Sequence, residues 1–510
     1  MMKKKVLYGK YVIIDEKTII PSGALYIEGD TVTAAGSYDE IMKKSDDCEV
    51  IGSSDHLVMP GLVNAHGHGK GVTDFQRGHI DDTLETWKFR FYPPIDIYLD
   101  TLWTGVRLLE SGVTTTMHNH NLVNPDAYDE EFETIIGAYL KSGIRLAFLP
   151  MVTNQNTFVY GDNDAFIRSL SPELQSLCRK MIDRGAKFGG KQYLKAVDDL
   201  YKKHRSEKIR ILHGPLAPQW VSDDVLGEIR SHARAHDMRI HIHVQQTQLQ
   251  KLYGLKIYGK SLLQHLYDID FLGENVTCGH CVWLDLKDID LLAATQTSVT
   301  HHASCNLRVR NGISPVTAML EKGVVVALGL DDKEFGDSKD FFQEMRLASQ
   351  LHRLSSHQLD SEHLKPKDCF RMATSAASEV LGFADLLGTL QPGKQADIVL
   401  VDLNRICEPF VSDDIDIIDL LIYRGLAVDV DTVLVAGEIQ VQNGKHIKID
   451  RKDLIQRLKA AVPEDYVEQY RQNNRLFPEL RKHVQDYFAS WGSEMNEIEK
   501  SPFYFMNNRY

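Results

Sequence analysis

Between Val58 and Asp332 the sequence alternates eight apolar runs of strand length with segments of helical periodicity, an order that few folds accommodate. The runs are Val58 to His66, Val113 to His120, Arg145 to Met151, Ile209 to Pro218, Arg239 to Gln246, Val276 to Trp283, Ser298 to Ser304 and Val324 to Asp332. The segments between them, such as Asp223 to His236, Lys260 to Phe271 and Leu286 to Ala294, carry apolar residues three and four apart, as helices lying on a sheet do. Eight such units over about 275 residues predict an α/β fold, a (β/α)8 barrel of the TIM type.

The ends of the chain read differently. Lys5 to Ile14, Gly23 to Ile27 and Thr31 to Ala35 are short β-rich runs broken by turn residues, and the same texture returns at Gly388 to Asp402 and Thr432 to Gly437. The two ends are expected to pair into one satellite β-domain, a small β-sandwich made of residues 1–57 and 388–449. The barrel then occupies 58–387, and residues 450–510 form a helical extension rich in Tyr, Phe and Arg.

Composition narrows the partners. Fifty-eight Lys+Arg against 71 Asp+Glu leave a net charge of −13, which repels nucleic acid and anionic lipid, and no basic patch offsets it. The apolar stretch after Lys5 is broken by Lys10, and no run approaches the roughly 18 residues of a membrane span, so a cytoplasmic protein is expected. Seven scattered cysteines, an odd number, suit a reducing compartment. Cys278 and Cys281 form a lone CxxC and are read as packing residues.

Histidine is enriched, with 21 residues, and many stand where apolar runs end. The carboxyl ends of barrel strands carry the reactive face, so these positions come first. The first run ends in His66-Gly67-His68, where alternate residues of an extended chain point the same way. The fifth ends in His241-Ile242-His243, the sixth contains His280, and the eighth ends in Asp331-Asp332. Three imidazoles and a carboxylate around an open position suit a catalytic divalent ion.

These fragments resemble the amidohydrolase superfamily, in the branch of the triazine hydrolases, cytosine- and guanine-type deaminases and adenosylhomocysteine-type deaminases. The likeness rests on Val58-Met59-Pro60-Gly61-Leu62-Val63-Asn64-Ala65-His66-Gly67-His68, Gly279-His280-Cys281-Val282-Trp283-Leu284, Ser304-Cys305-Asn306-Leu307-Arg308 with Gly312-Ile313-Ser314-Pro315-Val316, and Gly329-Leu330-Asp331-Asp332. The resemblance implies His66, His68, His243 and Asp331 as ligands of one divalent metal, with zinc expected first and iron, manganese or cobalt as alternatives. It makes His280 the residue that orients a metal-bound hydroxide and polarises the substrate, and Asp331 the proton shuttle. His241, two residues earlier on the same strand, is expected behind the ligands or deeper in the barrel. The fourth strand ends in Gly214 to Trp220 without the lysine that binuclear members carry, so a single metal is expected.

Two positions depart from the branch. Three residues beyond His243 the deaminases carry an acid/base glutamate; this chain has Gln246, which cannot exchange a proton. Leu216 replaces the histidine of adenosylhomocysteine-type deaminases, which weakens a nucleoside assignment. The expected activity is therefore hydrolysis of a non-peptide C–N bond in a small polar or heterocyclic molecule: an amide, urea, lactam, amidine or guanidine. Hydrolytic deamination of an aromatic amine and a catalytically silent scaffold are the alternatives. Asp331, His280 and Gln246 are the expected catalytic positions. His118, His120, Gln219, Trp220, His302, Asn306 and Arg308 are the expected substrate contacts, and a homodimer is the family-based expectation.

Overall fold

The computed structural model describes residues 3–43, 47–353 and 363–491. Four strands open the chain: β1 (Lys4–Ile13), β2 (Ile19–Glu28), β3 (Thr31–Ser37) and β4 (Glu49–Pro60). The barrel strands follow as β5 (Leu62–Asn64), β6 (Val113–His120), β7 (Arg145–Val152), β8 (Ile209–Ile211) with its short continuation β9 (Gly214–Pro215), β10 (Ile240–Val244), β11 (Val276–His280), β12 (Ser298–His301) and β13 (Val326–Leu328). The chain then returns through β14 (Ile398–Asp402), β15 (Val430–Val435), β16 (Glu438–Gln442) and β17 (Lys445–His446). Each of the eight apolar runs thus contributes a barrel strand.

All pairings within β5–β8 and within β10–β13 are parallel. Two seams close the circle. At one, His213 bridges Ile240. At the other, the Ala65 N–H donates to Leu328 O at 2.9 Å and the Asp331 N–H to His66 O at 3.0 Å. Strands covered on both faces should be buried throughout, and every residue of β6 and β7 is. The covering helices bury one stripe: in Tyr128–Ser142 the buried Phe132, Ile135, Ile136 and Tyr139 recur at helical spacing. That helix stops at Gly143, whose φ of 87° suits the left-handed cap and whose missing side chain admits Gln440.

The first run is divided between two sheets. β4 runs through Pro60 and pairs with β1 and β14, and the barrel strand starts after Gly61, where an added Cβ would lie 2.2 Å from the Thr114 hydroxyl. The strands of both chain ends form one eight-stranded sheet in the order β17-β16-β15-β14-β4-β1-β2-β3. Its edge strand β3 curls back to the segment feeding β14: the Val32 N–H donates to Lys394 O at 2.9 Å, and the Gly393 N–H to Val32 O at 2.8 Å. Leu7, Leu25, Val32, Leu400 and Leu434 share a core of their own inside it.

A buried ion pair fastens this sheet to the barrel. Arg145, at the start of β7, is fully buried; its Nε donates to Asp397 Oδ2 and its Nη2 to Asp397 Oδ1, both at 2.9 Å. Its Nη1 donates to Glu207 O at 2.8 Å.

Three helices end the described chain: Arg451–Ala461, Tyr466–Asn473 and Phe477–Ala489. The first packs Leu454 and Leu458 on Leu99, Leu102 and Trp103. The other two lie on the long loop after β5. Asn474 donates to Phe91 O at 2.7 Å and accepts from its N–H at 3.0 Å, and Arg481 grips Asp82 at 2.6 and 2.9 Å. The rest of the expected extension, 492–510, lies outside the described residues. Among those described, no helix is long and apolar enough to cross a membrane.

Removing one partner of a buried ion pair strands the other charge, so Asp397→Ala should cost about 3–5 kcal/mol. A urea melt should show a clearly lowered midpoint; an unchanged midpoint would mean that Glu207 O and Gln395 Oε1, which accepts from Arg145 Nη2, suffice for Arg145.

Candidate metal centre

The site is built where β5, β10, β11 and β13 end. Leaving β5, the chain stays extended, and His66 and His68 turn to the same side. The strand end is held in place by Asn64, which donates to Thr116 Oγ1 at 3.1 Å and accepts from the Leu330 N–H at 2.9 Å. Gly329 lets the last strand close on the first: a Cβ there would lie 2.6 Å from His66 Cβ.

Four side chains converge. His66 Nε2 lies 3.3 Å and His68 Nε2 3.1 Å from Asp331 Oδ1, and one ring nitrogen from each of His66, His68 and His243 lies within 4.8 Å of the others. Two of these imidazoles have their protons placed by backbone carbonyls, which only accept. His68 Nδ1 donates to Asn119 O at 2.9 Å and His243 Nδ1 to Leu216 O at 2.8 Å, so it is Nε2 of each ring that is left to face a ligand. Burial holds His66 and His243 below the usual histidine range, which keeps both neutral. His66 Nε2 is itself buried without a hydrogen-bond partner. Burial opposes ionisation of Asp331, but its imidazole neighbours, His66 first and then His68 and His280, outweigh it and hold its carboxyl well below the usual range when they carry the cluster's positive charge, the charge a bound cation would supply instead.

Imidazole lone pairs and an ionised carboxylate aimed at one point repel each other unless a cation lies between them. Three nitrogens and one carboxylate oxygen are the donor set of a zinc-like divalent ion, so the residues fit the ion that the sequence implies.

A second layer holds these groups. His66 Nδ1 is 2.8 Å from His241 Nε2 and 3.2 Å from Asn119 Nδ2. His280 Nδ1 donates to Asn306 Oδ1 at 3.0 Å, an oxygen that also accepts from Asn311 Nδ2 at 3.1 Å. That leaves His280 Nε2 3.6 Å from Asp331 Oδ2, and burial lowers its pKa to about 4. His302 stacks on His66 with 4.2 Å between ring centroids, and its Nδ1 is 3.7 Å from Asp331 Oδ2. Asp332 pins the loop after β5, accepting from the N–H groups of His68 at 2.6 Å and Lys70 at 3.1 Å. His280, Asp331 and Asp332 have left-handed backbones, with φ of 69°, 54° and 52°. Such strain in residues other than glycine gathers at working sites.

The structure therefore brings together His66, His68, His243, His280, His302 and Asp331, with Asn306 behind His280. It does not bring His118 and His120 with them. Alternation along β6 turns Asn119 inward and sends its neighbours outward, where His118 packs on Tyr139 and Phe148, and His120 Nε2 lies 2.6 Å from Glu131 Oε1. Arg308 is engaged by Asp81 at 2.8 Å. Gln219 and Trp220 are buried, and Gln219's amide and Trp220's Nε1 lack hydrogen-bond partners. Gln246 is buried past the end of β10, its N–H donating to Gln250 Oε1 at 2.7 Å.

Sequence reasoning missed Asn119, whose inward position follows from the same alternation. It also missed Trp87, Lys88, Glu85 and Tyr160, which lie in loops without periodicity. Trp87 is flanked by the ammonium groups of Lys70 at 4.7 Å and Lys333 at 4.5 Å.

A family model described as the amidohydrolase family matches residues 57–440. The chain is 28% identical over 453 residues to 5'-deoxyadenosine deaminase of Methanosarcina mazei, covering 87% of this chain and 94% of that one. It is 29% identical over 469 residues to 5-methylthioadenosine/S-adenosylhomocysteine deaminase of Thermodesulfovibrio yellowstonii, covering 89% and 97%. Among solved structures, a zinc-bound adenosine deaminase from Xanthomonas campestris superposes with a TM-score of 0.75 at 21% identity, covering 92% of this chain and 99% of that one. Atrazine chlorohydrolase from Arthrobacter aurescens, complexed with zinc, gives a TM-score of 0.75 at 21% identity, covering 90% and 100%.

Two outcomes are expected. His241→Ala should weaken zinc binding about 10–100-fold in a chelator competition titration, because it releases the ring of His66; unchanged affinity would remove His241 from the site. Burial pushes the Glu344 carboxyl, which accepts from the Ser304 N–H at 3.1 Å, up from 4.5 to about 8. A raised carboxyl pKa contributes stability at low pH that is lost as pH climbs between those values. Glu344→Gln should flatten that part of the stability profile; a profile identical to wild type would refute the assignment.

Proposed function

The chain belongs to the amidohydrolase family, and on that premise we propose that it is a metal-dependent hydrolase of a non-peptide C–N bond in a small polar or heterocyclic substrate. The observation that carries the reading is the convergence of unprotonated imidazole nitrogens on the ionised Asp331. His66, His68, His243 and Asp331 would hold one divalent ion, and the zinc-bound structural neighbours support zinc. When bound, such an ion lowers the pKa of water toward about 7 and so supplies a nucleophile at neutral pH.

The chain's own groups account for the protons. Asp331 Oδ2 faces His280 Nε2 at 3.6 Å and His302 Nδ1 at 3.7 Å, on the side away from the contacts of Oδ1 with His66 and His68. Asp331 accepts a proton as the water oxygen bonds to carbon, then delivers it to the departing nitrogen, so that C–N and O–H are exchanged for C–O and N–H. His280, kept neutral and oriented by Asn306, fixes the water and the substrate oxygen in that geometry.

The relatives carry deaminase names, which supports loss of ammonia from an amino-substituted carbon as one form of the reaction. Gln246 and Leu216 keep their nucleoside substrates from being transferred outright, so amides, ureas, lactams, amidines and guanidines stand beside aromatic amines. The same reading takes the sheet shared by the chain ends as a satellite β-sandwich, supported by its separate core.

The test is a panel of these C–N compounds incubated with zinc-loaded protein and analysed by mass spectrometry. Replacement of nitrogen by oxygen in at least one class is expected, and Asp331→Asn should lose about 10²–10⁴ in kcat. Turnover in no class, or an unaffected Asp331→Asn enzyme, would overturn the reading.

A further inference from the structure

The substitution at Gln246 removes a proton donor from the substrate side, yet a carboxyl stands beside that position from another part of the chain. The short helix Leu84–Trp87 lies in the loop after β5. It is docked on the metal-bearing loops, because the Trp87 ring sits between Lys70 and Lys333, each two residues beyond a proposed ligand. From this helix Glu85, 4% exposed, reaches to the end of β10. Its Oε1 accepts from the hydroxyl of Thr247, the residue next to Gln246, and from Tyr160 OH at 3.1 Å.

The surroundings of Glu85 carry polar atoms that the protein leaves unused. The Gln219 and Gln250 amides approach the Tyr160 hydroxyl, and the Trp220 ring lies 6.0 Å from the Tyr160 ring. Gln219 Oε1 and Trp220 Nε1 are buried without any partner, and the Gln219 and Gln250 amide N–H groups have only the Tyr160 hydroxyl within reach. Each polar group left unmade costs about 1–3 kcal/mol, so the two bare atoms beside Tyr160, which itself donates to Glu85, point to a ligand that completes them. An amide offering both a donor and an acceptor beside an indole N–H matches the edge of a planar nitrogen heterocycle.

We propose that Glu85 is the carboxyl that hands a proton to the ring nitrogen of an aminated N-heterocycle held against Gln219 and Trp220, in place of the residue at 246. This rests on the hydrolase reading above and names its substrate class. In the step, the Glu85 O–H bond breaks and a ring N–H bond forms, while the C=N electron pair moves to that nitrogen as the water oxygen bonds to carbon. Asp331 passes one water proton to the amino group, which leaves as ammonia. The adduct's hydroxyl proton returns to Glu85 as C=O forms, leaving a lactam. Burial pushes the Glu85 carboxyl upward, in the direction that keeps it protonated. The other titratable groups facing it are the Tyr160 hydroxyl and the Lys88 ammonium, itself 2.9 Å from Thr157 O.

The experiment uses zinc-loaded wild type, Glu85→Gln, Gln246→Glu and the double variant. Its probes are cytosine, adenine, guanine and adenosine in one arm, and dihydrouracil, N-methylurea and benzamide in the other. Expected are turnover in the amine arm, a loss of about 10²–10⁴ in kcat for Glu85→Gln with KM within a few-fold, and recovery of at least tenfold in Glu85→Gln/Gln246→Glu, where the carboxyl is moved rather than lost. A purely structural Glu85 would show no such recovery. The acid limb of the kcat profile should also shift in Gln246→Glu, a variant that keeps Glu85 and so reads out even if Glu85→Gln unfolds. Metal-dependent turnover confined to the amide and urea arm overturns the proposal and leaves the hydrolase reading standing. So does an amine activity indifferent to Glu85→Gln, or an unshifted profile in Gln246→Glu. Turnover in neither arm removes both.

Discussion

Closure of the barrel between its first and last strands is the contact on which the rest depends. The Asp331 N–H donates to His66 O at 3.0 Å, and the Ala65 N–H to Leu328 O at 2.9 Å. These two bonds put an imidazole and a carboxylate from opposite ends of the barrel sequence in register, so the candidate ligand set is assembled only once the circle is complete. Gly329 is part of the same requirement, since no side chain fits against His66 Cβ there. The contact joins residues more than two hundred positions apart, so it carries a loop-closure cost that no local contact offsets. The candidate metal centre is therefore a product of the whole fold and of no single motif.

What the sequence made legible follows from this. The eight strands were readable because strands buried on both faces must be apolar, and the centre was readable because polar residues at the ends of such runs need a reason to be there. His66, His68, His243, His280 and Asp331 were singled out in this way, and the structure places them side by side. The error at His118 and His120 came from counting residues at a strand end without applying the period of two along it: β6 shows its inward face at Asn119, and both histidines fall on the helix side. Glu85, Trp87, Lys88 and Tyr160 could not be read at all. They sit in loops whose shape is set by what they touch, and no periodicity marks a loop residue that turns toward the site.

The backbone at the centre carries a further constraint. His280, Cys281, Asp331 and Asp332 all adopt positive φ, at 69°, 47°, 54° and 52°. A β-strand leaving the barrel would carry its next side chains alternately inward and outward. The left-handed turn instead brings consecutive residues to different tasks, with Asp331 facing the imidazoles while Asp332 receives the N–H groups of the loop after β5. Strain of this kind, of order 1–3 kcal/mol per residue, persists only where surrounding contacts over-determine it, and here the ion pair of Asp332 with Lys339 is one of them.

The carboxyl-terminal helices add the last element. Tyr160, whose hydroxyl donates to Glu85, has its other side against Phe488 at 5.2 Å and Trp491 at 6.4 Å, and its carbonyl accepts from Tyr487 OH. The same extension holds the loop after β5 through Arg481 on Asp82 and Asn474 on Phe91. It thus fixes two of the loops that bear on the polar cluster around Glu85 and walls that cluster with aromatic rings. Taking water from such a cluster strengthens each hydrogen bond within it and raises the cost of any left unmade. A dry wall pushes a carboxyl placed there upward, which gives the terminal helices a chemical consequence for a cluster to which they contribute no polar group.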